Sequence, residues 1–379
     1  MTFRTYNHLA VAVVVGVVSL AVALRAAGAA ESAWLPCPYP SSELIAGIDF
    51  DASTRQSHAP GSDIWPITWA DDDHQYTAFG DGAGFGSTGT FGRRVEGYVS
   101  LGVARIEGSA GNYRGVNVWG GVAAENPAQF EGKGTGMLSV DGVLYMIVGG
   151  PKSLVVGETR PAVSRDHART WTLTDWKWTM HDRVSAGALL NFGKDYAGAR
   201  DDFVYVYFTR IQDLPADGKP RNWIHEVPGQ VDLARVPKDR VLEKAAYEWF
   251  AGVNDDGAPR WTDDISARTP AFEDPNGIKV VSVSYNLALR RYLLLYNPKN
   301  NRGHFALFES PEPWGPWRTV AYLKDHPLFM PPEENSRVSV FHFAPKWWSG
   351  DGREFTLIFN TGDDRWNTVR GQLLGGQKG

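Results

Sequence analysis

Residues 136–148 read Gly136-Met-Leu-Ser-Val-Asp-Gly-Val-Leu-Tyr-Met-Ile-Val148. Two apolar runs of strand length flank Asp141-Gly142, a dipeptide suited to the left-handed backbone of a two-residue hairpin turn. The same unit recurs four more times. Ile64–Ala70 and Gln75–Phe79 enclose Asp71-Asp-Asp73. Ala188–Phe192 and Phe203–Phe208 enclose a longer turn holding Asp195 to Asp202. Val280–Tyr285 and Arg291–Tyr296 enclose Asn286 to Arg290, and Val338–Trp348 and Glu354–Phe359 enclose Ser349-Gly-Asp-Gly352. A further strand-like run follows each hairpin: Leu101–Ile106, Val163–Arg165, Val231–Val236, Phe305–Glu309 and Trp366–Arg370. A repeated meander of this kind predicts an all-β fold, a five-bladed β-propeller of four-stranded sheets. A run at Ile45–Phe50 completes the last blade and closes the ring, which removes exposed sheet edges. The competing arrangement is two face-packed sheets. One short helix is expected in an inter-strand insertion, Asp239–Phe250, with Pro237 before its first turn and Gly252 after its end.

The amino terminus reads differently. Arg4 precedes an apolar run from Leu9 to Leu24, and Ala26-Ala-Gly-Ala-Ala30 follows it. That order of charge, apolar stretch and small residues predicts a secretory signal over 1–30 and export of the remainder, 31–379, as one propeller domain. The run is short for a membrane span, so no stable membrane insertion is expected after cleavage; the competing reading is an uncleaved anchor. Cys37 is the only cysteine, which excludes an intrachain disulfide and leaves stability to the core. The net charge of −5 comes without any basic stripe, which argues against nucleic acid as a partner.

Asp63 and Asp81 bracket the first hairpin. With the turn centred on Asp72 they oppose each other across the two strands, with Cβ atoms roughly 4.5–5.5 Å apart. Two carboxylates held that close repel, so one should stay protonated beside an ionised partner, the equipment of a glycosidase. Gly80 and Gly82 leave space beside Asp81 for a ligand. The bland alternative is that both acids cap turns, and a slip of one residue would turn one of them to the other side. The same end of the other hairpins carries Lys133, Arg183, Arg210, Glu273, Asp274, Asn276, Asn297, Asn335, Arg337, Asn360 and Asp363. Of these, Lys133, Arg210, Glu273, Asp274, Asn297 and Arg337 are the candidate sugar-binding residues. His342 reads as a satisfied core histidine. No zinc, phosphate-loop or serine-elbow spacing appears, and Asp71-Asp-Asp73 and Asp201-Asp202 lack calcium-loop spacing, so no cofactor or metal is expected.

Ser164-Arg-Asp-His-Ala-Arg-Thr-Trp171 resembles the Asp-box of sialidase-like propellers, with Ala168 in place of its glycine. The resemblance implies a structural turn away from the active face. More broadly, Ser62-Asp-Ile-Trp-Pro-Ile-Thr-Trp-Ala-Asp-Asp72, Phe79-Gly-Asp-Gly82, Asp195-Tyr-Ala-Gly-Ala-Arg-Asp-Asp202, Leu233-Ala-Arg-Val-Pro-Lys238, Phe272-Glu-Asp-Pro-Asn-Gly277 and Pro313-Trp-Gly-Pro-Trp317 resemble a bacterial family. It is domain of unknown function 4185, related to glycoside hydrolase family 183, the endo-D-arabinanases. The resemblance implies a five-bladed propeller and a paired-aspartate mechanism at Asp63 and Asp81. The expectation is an exported glycoside hydrolase acting within D-arabinan or a related furanose-containing polysaccharide. The rival is a propeller that binds carbohydrate without cleaving it. The segment Ile211 to Val227 and the substituted Asp-box depart from the pattern.

Overall fold

The computed structural model describes residues 34–90, 94–152, 154–222, 225–298, 303–330, 340–360 and 364–376. The leader 1–30 and the candidates Asn335, Arg337 and Asp363 lie outside the described residues. From Cys37 onward the chain forms a five-bladed β-propeller, five antiparallel sheets taken up in chain order. Blade I comprises Asp63–Trp69, Gln75–Gly82, Val99–Ser109 and Asn112–Trp119. Blade II comprises Lys133–Val140, Val143–Gly150 and Glu158–Ser164, with the short strands Thr172–Leu173 and Trp178–Thr179 both paired to its third strand. Blade III comprises Val184–Leu189, Phe203–Arg210, Gly229–Pro237, Glu248–Val253 and Pro259–Thr262, and Pro270–Asp274 pairs with its third strand. Blade IV comprises Val281–Asn286, Arg291–Tyr296, Phe305–Ser310 and Arg318–Leu323. Blade V takes Phe341–Phe343, Glu354–Phe359 and Trp366–Gly375, and its outermost strand is the first of the chain, Ile45–His58. The ring therefore closes by pairing the two ends of the domain, Ile48 opposite Leu373 and His58 opposite Trp366. Blades II and III exceed the four strands expected of each.

Because every first strand runs the same way, the open ends of the hairpins share one face, and the hairpin turns share the other. The first strands line a narrow axial cavity of about 20 Å³ bounded by residues such as Ile67, Met137, Leu189, Val283 and His342. That is room for about one water, so the axis is packed and any polymer must bind on a face or a flank. Seams between blades are aromatic. Phe305, Phe329, Phe341 and Phe359 pack together between blades IV and V, and each is worth about 1.5–3 kcal/mol when fully buried.

The helix expected at Asp239–Phe250 is absent. A single 3₁₀ turn at Lys244–Ala246 is followed by the strand Glu248–Val253. The adjacent Trp249 and Phe250 explain the outcome. Both are buried, one against Trp178 and Phe208 and the other against Trp261 and Trp314. A strand sends neighbouring side chains to opposite faces and buries both; a surface helix would hold them about 100° apart with one toward water.

Candidate functional site

The first strand of blade I carries the geometry that builds the site. Ile67 pairs with Thr77, but Ile64 pairs with Phe79, so Trp65 and Pro66 together face Ala78 alone. This is a β-bulge, and proline, lacking an N–H, suits it. Ile64 (φ 84°) and Trp65 (φ 62°) both sit in left-handed backbone, a strained state for a β-branched residue that persists only where the surroundings impose it. His342, on the first strand of blade V, supplies part of that constraint. Its Nε2 donates to the Ile64 carbonyl at 3.1 Å and its Nδ1 accepts from the Ser282 hydroxyl at 3.0 Å. Burial lowers its pKa to about 4, so the ring is neutral at physiological pH, in the tautomer these two bonds require. The reading of His342 as a satisfied core histidine is what the structure shows, and it faces the axial cavity.

The bulge shifts the register by one residue, so Asp63 opposes Gly80 and not Asp81. Asp81 itself has left-handed backbone (φ 48°), which breaks the strand alternation. Both carboxylates then meet one cation: Lys133 Nζ lies 3.0 Å from Asp63 Oδ1 and 2.7 Å from Asp81 Oδ2. The Lys133 side chain is only 5% exposed. Burial works against its ammonium, but the charges of Asp63 and Asp81 prevail and its pKa is raised. A Cβ at Gly80 would stand 2.5 Å from Lys133 Nζ and 2.6 Å from Asp63 Oδ1, and one at Gly82 would stand 2.1 Å from Ser62 Oγ. These glycines thus admit the protein's own lysine and serine, where a ligand had been expected. The Tyr98 hydroxyl donates to the other oxygen of Asp81 at 3.2 Å.

A third carboxyl completes the group. Asp364 follows the second strand of blade V, with φ 48° and only 9% exposure. Its carbonyl accepts the Gly61 N–H at 2.6 Å, tying blade V to blade I beside Asp63. Burial first, then the charge of Asp63, push the Asp364 carboxyl up to about 8, against the pull of Lys133 and a 3.4 Å contact from Asn360 Nδ2. Asp364 is the second member of an Asp-Asp run whose first member, Asp363, is one of the sequence candidates. The signal lay in that run's place at the open end of the fifth hairpin.

The remaining candidates are engaged elsewhere. Arg210 grips the fully buried Asp232 through Nε and Nη2, and Arg268 Nε holds the same carboxylate at 2.6 Å. Asp274 is fully buried between blades III and IV, accepting from Tyr296 Oη at 2.5 Å, Tyr322 Oη at 2.7 Å and the Asn276 N–H at 2.8 Å. Glu273 takes a bond from Gln230 Nε2 at the edge of blade III, and Asn297 is buried. The segment 211–222 caps the seam of blades II and III, where Arg221 pairs with Val156 and binds Glu226. On the opposite face, Asp166 of the Asp-box accepts from Ser164 Oγ, Thr170 N and Thr170 Oγ1, while Trp171 is buried. Ala168 takes φ 68° where the motif's glycine would stand, so the turn keeps the motif's backbone.

Comparison with solved structures finds propellers of low identity. The alpha-L-arabinofuranosidase of Podospora anserina, solved with cellotriose, is 10% identical, with 88% of this chain and 96% of that one covered and a TM-score of 0.47. The endo-arabinase of Bacteroides thetaiotaomicron is 11% identical, with 86% and 99% covered and a TM-score of 0.45. A GH43_1 enzyme of Xanthomonas citri is 12% identical, with 88% and 89% covered and a TM-score of 0.44. No curated protein matches. The family described as domain of unknown function DUF4185 matches residues 125–344, from the end of blade I into blade V. The chain, more than half of which lies within that match, belongs to the DUF4185 family.

Proposed function

We propose that this protein is an exported glycoside hydrolase that cleaves within D-arabinan or a related furanose-containing polysaccharide. The observation that carries the reading is a carboxyl, Asp364, kept protonated up to about pH 8 beside two carboxylates that share one buried lysine. Hydrolysis of a glycosidic bond needs an acid for the leaving oxygen and a carboxylate for the anomeric carbon or its attacking water. Asp364 donates its proton to the leaving oxygen. Asp81 has one oxygen on Lys133 and the other on Tyr98, so it is held as a fixed charge. Asp63 keeps one oxygen on Lys133, and among the described residues no hydrogen bond reaches the other. That oxygen is the nucleophile or base. Of the pair expected from the first hairpin, Asp63 reacts and Asp81 fixes the charge beside it, while Asp364 supplies the acid. Export is supported by the order Arg4, Leu9–Leu24 and Ala26–Ala30.

Incubation of the purified chain with D-arabinan, L-arabinan, xylan and other glycans, followed by product analysis, tests the proposal. Oligosaccharide release from a furanose polymer, lost in Asp63→Asn and Asp364→Asn, is the expected result. Retention of glycan without any release would leave the non-catalytic binding reading in its place.

A further inference from the structure

The strand that closes the ring also builds a second concave surface. Three adjacent strands of blade V carry two rows of polar side chains in register. Asp49 opposes Gln372, which opposes Glu354; Asp51 opposes Arg370, which opposes Thr356. Residues two apart on a strand share a face, so the rows lie side by side on one surface of the sheet. They line a groove of about 550 Å³ together with Trp347 and Trp348. The volume falls within the range of small-molecule and oligosaccharide sites. Trp348 is partly exposed and braced from behind by Phe343 and Phe355, at ring centroids of 4.8 and 5.7 Å. The closing strand bulges beside the groove, because Ala52 to Arg55 all lie opposite Val369 alone. The Arg370 N–H bonds Thr54 Oγ1 at 2.9 Å and fixes that bulge.

The side chains name the ligand class. Among the described residues, no hydrogen bond or ion pair engages the side chains of Glu354, Arg370 or Gln372, although they stand shoulder to shoulder on a sheet. Carboxylates accept pairs of hydroxyls, and the amide and guanidinium donate to ring and hydroxyl oxygens. An indole face takes the apolar C–H face of a sugar. Three carboxylates against one guanidinium leave the groove net negative, which disfavours uronate, sulfated or phosphorylated chains. We infer that this flank of blade V is a second carbohydrate-binding site, separate from Asp63 and Asp364, that takes a short stretch of an uncharged polysaccharide. It holds the chain whether or not Asp364 cleaves it.

Native gels cast with D-arabinan, xylan or polygalacturonate test this on the Asp364→Asn chain, which removes turnover as a variable. The neutral polymers should retard the protein and polygalacturonate should not. Trp348→Ala should abolish the retardation, and Gln372→Ala and Glu354→Ala, at exposed positions, should weaken it at least threefold with unchanged melting. In an active background the same variants should leave kcat/KM on a short oligosaccharide within twofold and raise the apparent KM on polymer. No retardation by either neutral polymer, retardation unaltered in all three variants, or equal retardation by polygalacturonate overturns the groove. Hydrolysis of polymer without groove-dependent retardation overturns this inference alone, and groove-dependent retardation without hydrolysis overturns the catalytic proposal alone.

Discussion

Two seams of this propeller bury carboxylates, and they treat them in opposite ways. In and beside blade III the buried carboxyls of Asp232 and Asp274 have donors on both oxygens. Asp232 lies between two guanidinium groups, and Asp274 accepts from two phenols and a backbone amide. Where blade V meets blade I, Lys133 reaches across from blade II to Asp63 and Asp81, and burial together with the charge of Asp63 pushes the neighbouring Asp364 carboxyl up to about 8. The acids themselves also differ in backbone: Asp81 and Asp364 are left-handed, as are Ile64 and Trp65 at the same seam, and Asp232 and Asp274 are not. A saturated acid has nothing left to give a substrate. An acid short of donors and held by a strained frame keeps both a proton and an open oxygen for chemistry.

The largest effect should therefore come from removing the unsaturated acid. Asp364→Asn should lower kcat/KM on a cleavable glycan by roughly 10²–10⁴-fold, the usual contribution of a general acid. In the parent chain kcat/KM should fall as pH rises through about 8, where Asp364 loses its proton. Stability carries the same sign. The carboxyl is raised in the folded state above its ordinary value, so its contribution is whole below the unfolded value and is lost as pH climbs toward 8. Melting curves from pH 4 to 9 should flatten in Asp364→Asn. An unchanged rate and an unchanged pH limb would dissolve the contrast between the seams.

Breaking the saturated seam should do the reverse. Asp232→Asn strands two guanidinium groups in a protein interior and should cost about 3–5 kcal/mol of stability. Asp274→Asn leaves neutral hydroxyls to re-pair and should cost about 1–3 kcal/mol. Urea unfolding measures both. Neither variant should move the pH dependence of hydrolysis; a shifted limb in either would mean the two seams are electrostatically one.

Between these extremes lies His342. Its Nε2–H satisfies the Ile64 carbonyl inside the bulge, so His342→Phe leaves a buried acceptor unpaired at a cost of about 1–3 kcal/mol. Because the bulge sets where Asp63 stands, kcat should fall about tenfold with KM little changed, whereas a purely structural histidine would alter melting alone. Steady-state kinetics beside melting curves separate the two.

How far the sequence foretold this contrast depends on the range of the interactions involved. The hairpins were legible because turn dipeptides such as Asp141-Gly142 and apolar runs act locally, and the closing strand followed from the leftover run at Ile45–Phe50. The bulge was not legible. Nothing in Ile64-Trp-Pro66 announces left-handed backbone at an isoleucine; part of what holds it comes from blade V, some 280 residues away in sequence, through His342. That slip moved Asp81 out of direct opposition to Asp63, and only its own left-handed backbone returned it to Lys133. The saturation of Asp232 and Asp274 was equally hidden, since it depends on Arg268, Tyr296 and Tyr322 from other strands. Glu273, Asp274 and Arg210 looked like rim residues because chain position shows which end of a hairpin a residue occupies, not what already holds it.

The smallest effect should come from a third acid, one that is saturated and also far from both seams. Asp166 sits in the Asp-box turn on the hairpin-turn face, accepting from Ser164 Oγ at 2.8 Å, Thr170 N at 2.9 Å and Thr170 Oγ1 at 2.6 Å. Burial pushes its pKa up, but these donors prevail and hold it below the usual carboxylate value. Its folded pKa is depressed, so whatever stability it adds is present above the unfolded value and fades as pH falls. The turn is partly exposed, and its donors can bond water when the carboxylate is gone. Asp166→Ala should then cost about 1 kcal/mol, comparable to the loss of a capping residue, and should leave the rate and its pH limb unmoved. The loss should show in melting at pH 7 and shrink at pH 3. A larger drop at acid pH than at neutral pH would mean that the box is held by something other than its charge. A change in hydrolysis would tie the two faces of the propeller together, against the division drawn between saturated and unsaturated acids.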